Sequence, residues 1–136
     1  MTERLNSEGY PDPTAYEALM NIEAEIRKGR FMPLVYICSP YSGDAEANKE
    51  SARRYCRFAV DSGCIPLAPH LLFPQFMQDE VERKLALFMS LVLLSKCAEL
   101  WVFGDFISKG MAIEIGRAKR KGQIIRSFTE DYKEIL

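Results

Sequence analysis

A chain of 136 residues with 48% apolar content has the material for one ordinary hydrophobic core and little room for a second. Its 18 basic and 19 acidic residues leave a net charge of −1, so no global field draws in a nucleic-acid backbone or an anionic membrane, and an anionic ligand has to be held locally. Four cysteines without Cys-x-x-Cys spacing and a single histidine offer no clustered ligand set, so no metal or other cofactor is expected and the cysteines read as reduced core thiols. Residues 1–12 are polar and lack the apolar stretch of a secretory signal, which gives the expectation of a cytoplasmic protein. The most apolar segment, residues 85–94, is half of the roughly 20 residues that span a bilayer, and reads as a buried helix.

In chain order, residues 14–28 carry Leu19, Ile22 and Ile26 at helical spacing before Gly29, which predicts an amphipathic helix ahead of the main fold. Residues 33–38 form a β-branched apolar run that ends in the turn-rich segment Ser39-Pro-Tyr-Ser-Gly-Asp44. A helix over 46–62 stops at Gly63, a strand over 64–68 follows, and residues 69–74 read as irregular. A long helix over 79–96, a strand over 99–103, a helix over 109–121 and a strand over 123–126 complete the alternation. Strands alternating with helices of this length are βαβ units, whose crossovers force a parallel sheet covered on both faces. The expected fold is one doubly wound, Rossmann-like or flavodoxin-like α/β domain over residues 33–136. It has four to five strands, with residues 1–32 as a helical extension. Ligands in such sheets bind beyond the carboxyl ends of the strands, here residues 39–44, 69–73 and 104–110.

Two of these segments carry polar chemistry. The first loop offers Ser39, Ser42 and Gly43 between strand and helix, where backbone N–H groups can cradle an anion, although it is neither a dinucleotide fingerprint nor a P-loop. The second is Ser108-Lys-Gly-Met-Ala-Ile-Glu114-Ile-Gly-Arg-Ala118, in which Ser108 is placed to cap a helix. A capping box would need Glu or Gln at position 111, where Met111 stands, so Glu114 needs another explanation. Two remain open from the residues alone. Glu114 is either a surface partner of Arg117 at i+3, or a partly buried carboxylate, kept ionised by the helix dipole, at the ligand end of the sheet. The second is what a glycosidic nucleophile requires.

With Tyr-Ile-x-Ser-Pro-Tyr at 36–41, Pro-His-Leu at 69–71 and Ser-x-Gly-Met-x-x-Glu-Ile at 108–115, residues 34–127 resemble the nucleoside 2-deoxyribosyltransferase-like superfamily, most closely a bacterial and phage branch of it. The resemblance implies that Glu114 attacks the anomeric carbon to give a covalent sugar ester, and that Tyr36 orients its carboxylate. Ser108 matches the serine of the 2′-deoxynucleoside 5′-phosphate N-hydrolases, where transferases acting on free nucleosides have aspartate. That implies a nucleotide substrate contacted by the loop Ser39, Pro40, Tyr41, Ser42 and Gly43 together with Ser108, Gly110 and Met111. Two departures stand out. No arginine occupies the first loop, and Leu91 falls where the superfamily has an aspartate on the helix before the third strand. His70 is the candidate substitute as general acid, with Asp79 and Glu80 the other polar groups nearby. Arg53, Arg54 and Arg57 read as an exposed basic face. The resulting expectation is an enzyme that cleaves the N-glycosidic bond of a nucleoside or nucleoside 5′-monophosphate, by hydrolysis or deoxyribosyl transfer, with a nucleotide-binding module that does not turn its ligand over as the alternative. Expected partners are the small molecule and further copies of the chain, a dimer or larger, with neither nucleic acid nor membrane.

Overall fold

The computed structural model describes residues 13–29 and 31–136. The polar segment 1–12, part of the expected extension, lies outside the described residues. The chain divides into two compact units at Phe31 and Met32. In the first, α1 spans Pro13–Arg27, with Ile22 and Ile26 of its apolar face exposed.

The second unit is a five-stranded sheet in the order β2-β1-β3-β4-β5. Its strands are β1 (Leu34–Cys38), β2 (Ile65–Leu67), β3 (Glu99–Phe103), β4 (Ile124–Phe128) and β5 (Glu134–Ile135). The first four are parallel and β5 pairs antiparallel with β4. Helices α2 (Ala45–Asp61), α4 (Asp79–Leu94) and α5 (Lys109–Arg120) make the crossovers. This is the Rossmann-like α/β architecture that the alternating pattern predicts. Chain order reverses between β1 and β3, so a crevice opens at their carboxyl ends.

Strand periodicity divides the core in two. Val35 and Ile37 of β1 and Trp101 and Phe103 of β3 face α2, where Tyr55 and Ala59 complete one cluster. Tyr36, Cys38, Leu100 and Val102 point the other way, towards Leu94, Met111 and Ala118 of α4 and α5. The β1–β3 register sets Tyr36 opposite Leu100 and Cys38 opposite Val102. All four cysteines are free thiols.

Three elements differ from expectation. The irregular stretch after β2 contains a one-turn helix, α3 (Pro69–Leu72), and a 3-10 turn, Phe73–Gln75; proline at the start of each suits a helix N-terminus. The two-residue β5 is too short for any sequence periodicity to reveal. Helix α4 is not buried all round: Val81, Leu85, Phe88 and Val92 form an exposed apolar stripe at spacings of four, three and four. No helix among the described residues is long and apolar enough to cross a membrane.

Phe103 is fully buried and stacks on Tyr55 at 4.2 Å and on Phe128 at 5.2 Å between ring centroids. Phe103→Ala is expected to cost about 3–5 kcal/mol in urea unfolding, because the neighbouring rings cannot collapse into the space left.

Candidate functional site

The site forms where β1 meets the first half of α5. Ser108 caps α5, its Oγ accepting the Met111 N–H at 3.2 Å, and its carbonyl accepts Ala112 N–H at 2.9 Å. The N–H groups of Lys109 and Gly110 are then left without intrahelical acceptors and free for an anion. Glu114 follows the cap by six residues, about 9 Å along the axis. That offset brings its carboxylate over the α5 side of β1. Tyr36 donates its hydroxyl to Glu114 Oε2, and the Cys38 thiol lies 3.6 Å from Oε1. Among the described residues Glu114 makes no ion pair with Arg117, so the surface-pair reading is set aside.

Burial raises the Glu114 carboxyl from 4.5 to about 6, with the hydrogen bonds from Tyr36 and Cys38 pulling the other way. Desolvation therefore outweighs what stabilises the charge, and the carboxyl, although raised, is still mainly ionised at pH 7. The Tyr36 hydroxyl and the Cys38 thiol are both pushed well up, first by burial and then by the adjacent carboxylate, so both remain protonated donors.

Glu114 and Tyr36 line a cleft of about 740 Å³, a size suited to a small molecule. From the first loop come Ser39, Tyr41, Ser42 and Gly43; from α5 come Ser108, Gly110 and Met111. Pro40 is not part of this lining. It borders a separate recess of about 50 Å³ with Asn48, Tyr55 and Phe103, which removes it from the expected contact set. Gly43 adopts φ +97 just ahead of Asp44, the cap of α2, a turn that L side chains resist.

His70 also lines the cleft, with Nε2 3.1 Å from Ser39 Oγ. Burial lowers its imidazole from 6.5 to about 4. The ring is therefore neutral at pH 7, which corrects the expectation of a histidine titrating in the range of a general acid. Ser39 and Ser90 are the buried polar side chains among the described residues, and both face this cleft.

Helix α4 supplies what the sequence left out. Leu91, at the position counted for an aspartate, is partly buried and packs against the core cluster that contains Leu94. The cleft instead receives Ser90, Ala86 and Leu87, then Glu82 and Arg83. These recur every three to four residues, so the face was present in the pattern, but Leu91 and Ser90 are adjacent and a count along one strand of sequence cannot choose between them. Arg83 precedes Ser90 by seven residues and Ser108 precedes Glu114 by six. Arg83 and the α5 cap both line the cleft. The side chain of Asp79 lies outside the described residues, and Glu80 is exposed and away from the lining. Arg53 and Arg57 pair with Glu50 and Asp61 on exposed α2.

Residues 33–128 match the family described as Domain of unknown function (DUF7768), and the chain belongs to that family. No curated protein matches the sequence. Among solved structures the chain is similar to a 2-desoxiribosyltransferase from Leishmania mexicana, with a TM-score of 0.53 and 18% identity. The match covers 71% of this chain and 64% of that one, so the chain spans under two thirds of the enzyme's length. The likeness is one of fold.

Because the native carboxyl of Glu114 sits above its ordinary 4.5, the folded state binds the proton more tightly between pH 4.5 and about 6. Its contribution to stability is therefore present below 4.5 and lost as pH rises through 6, a change of about 2 kcal/mol. Glu114→Gln, a neutral group of the same shape, is expected to stabilise the protein by about that amount at pH 7 and by little at pH 4.5. Denaturant unfolding at the two pH values measures the difference.

Proposed function

We propose that this protein cleaves the N-glycosidic bond of a nucleoside 5′-monophosphate or nucleoside, with Glu114 as nucleophile. The observation that carries the reading is a largely desolvated carboxylate, held by Tyr36, at the floor of a small-molecule cleft whose rim is a helix N-terminus. The deoxyribosyltransferase fold likeness and the sequence resemblance support it.

In the first step one Glu114 oxygen bonds to the anomeric carbon while the bond to the base breaks, the base leaving with the electron pair and taking a proton from solvent. In the second, water or another base attacks the same carbon and the carboxylate departs. The two-step route follows the general logic of retaining glycosyl transfer. Desolvation strengthens Glu114 as a nucleophile, and a pKa of about 6 leaves it mainly ionised at pH 7. Neutral His70 acts by hydrogen bonding Ser39 and thereby fixes the start of the first loop. A 5′-phosphate is received by the free N–H groups of Lys109 and Gly110, by the Ser108 hydroxyl, whose proton is not used in capping, and by Ser42 and Gly43 across the cleft. Arg83 supplies from α4 the cation that the first loop lacks.

One observation favours binding without turnover: Leu91 packs against the core, its cleft-facing neighbours Ser90 and Ala86 carry no acid, and the carboxyl that α4 does present to the cleft, Glu82, lies two turns away from Ser90. A panel of paired nucleosides and 5′-monophosphates, with released base measured by chromatography, separates the two readings. Base release that is abolished in Glu114→Gln, with ligand affinity retained, is the expected result; ligand binding without any base release selects the module. Within the panel the monophosphates are expected to react faster. Ser108→Asp should suppress them by up to about a thousandfold, since a carboxylate about 4 Å from a phosphate charge costs roughly 4 kcal/mol at an effective dielectric of about 20. Equal rates for both members of each pair exclude phosphate selection.

The exposed α4 stripe of Val81, Leu85, Phe88 and Val92 is assigned to a contact between copies of the chain. Sedimentation at micromolar concentration is expected to show a dimer or larger species, and Phe88→Glu to dissociate it. A species of only 15.6 kDa for the unsubstituted protein excludes the assignment.

A further inference from the structure

Tyr36 and Cys38 are two residues apart on β1 and point to the same side of the sheet, yet each reaches a different oxygen of one carboxylate. Tyr36 lines the cleft. Cys38 does not, and is 1% exposed, so its thiol approaches Glu114 from the sheet side, where no substrate displaces it. Rotation about the terminal torsion of a glutamate is soft, and one donor leaves the carboxylate plane free to turn. Donors on both oxygens fix it. A thiol is also a weak donor, so it restrains the group while withdrawing less charge than a hydroxyl in the same place.

We infer that Cys38 is a positioning residue for Glu114: its thiol holds Oε1 from behind, fixing the plane of the carboxylate without quenching its nucleophilicity. The inference rests on the reading of Glu114 as nucleophile, and goes beyond it in assigning a role to a thiol that otherwise counts as core. The surroundings leave few competitors. From α4 the cleft-facing groups are Ser90, Glu82 and Arg83; from the end of β1 and from α3 they are Ser39 and His70; on α5 itself Lys109 lines the cleft and Arg117 lies one turn beyond Glu114. Among the described residues, the side chains hydrogen bonded to the Glu114 carboxylate are Tyr36 and Cys38.

Two measurements test it. In infrared spectra of the unsubstituted protein, the S–H stretch of Cys38, identified by difference against Cys38→Ala or, should that variant not fold, Cys38→Ser, is expected to move to lower wavenumber as Glu114 ionises, with a midpoint near pH 6. The movement should vanish in Glu114→Gln. A band that stays fixed across that range, or moves equally in Glu114→Gln, overturns the inference. This readout needs no turnover, so its failure is distinct from a failure to release base. In kinetics, Cys38→Ala is expected to lower kcat about three- to tenfold with KM little changed, and to shift the acidic limb of the pH profile upward, because one of the two donors that hold the carboxyl down is gone. Cys38→Ser should recover most of the turnover and move the limb downward, since a hydroxyl is the stronger donor. A purely structural role would change stability and leave all three limbs superimposed, and that result also overturns the inference.

Discussion

A carboxylate deprived of water must take its hydrogen bonds from the protein or give up its charge, and Glu114 is held between those outcomes. Burial moves its pKa up to about 6, and the donors on β1 keep it from going further. Much of the fold follows from meeting that condition. The donors have to lie on one side of one strand, which the two-residue period of β1 provides through Tyr36 and Cys38. That strand has to sit centrally, next to the strand that feeds α5, which the order β2-β1-β3 provides. The helix has to begin a fixed distance from the carboxylate, which the Ser108 cap provides.

The rest of the cleft is largely apolar, lined by Phe73, Met77, Leu87, Phe106 and Met111, with a few polar groups set into it. His70 is neutral, and Ser39, Ser42 and Ser108 offer hydroxyls. Positive character enters at the rim, through the α5 N-terminus and the side chains of Lys109 and Arg83. Glu82 lines the cleft beside Arg83, so the rim carries charges of both signs above the Glu114 carboxylate.

The parts of this arrangement that were legible in the sequence are those set by local pattern. The alternation of strands and helices located the ligand end of the sheet, Ser108 announced its cap, and Glu114 stood out because no capping box accounted for it, although the residues alone left a surface pair with Arg117 open. What stayed hidden depends on tertiary surroundings. The pKa of His70 follows from burial by segments distant in sequence, and its residue type pointed to the opposite chemistry. Cys38 looked inert because nothing in a strand sequence says which carboxylate will arrive above it. Ser90 and Leu91 are neighbours on a helix, and the rotation of α4 decides which of them faces the cleft. Arg83 belongs to the same face, two turns outward from Ser90, and was lost with it. The irregular reading of residues 69–74 missed α3 because a single helical turn carries no periodicity.

The two faces of the sheet divide the work between them. On one, Tyr55, Phe58, Trp101, Phe103, Phe128 and Tyr132 form a continuous aromatic cluster. Its buried members are hydrophobic, the one hydroxyl among them being that of Tyr55. On the other, α4 and α5 enclose the cleft, with Ser39, Ser90 and a carboxylate whose ionisation opposes folding. Because successive residues of β1 and β3 alternate between these faces, each strand contributes to both. Val35 and Ile37 anchor it in the aromatic cluster while Tyr36 and Cys38 serve the site. The donors are thereby fixed by packing on the far side of the same strand. A rigid apolar face can offset the penalty of about 2 kcal/mol carried by the ionised Glu114, and its rigidity is also what lets two side chains on β1 hold a soft carboxylate torsion in place.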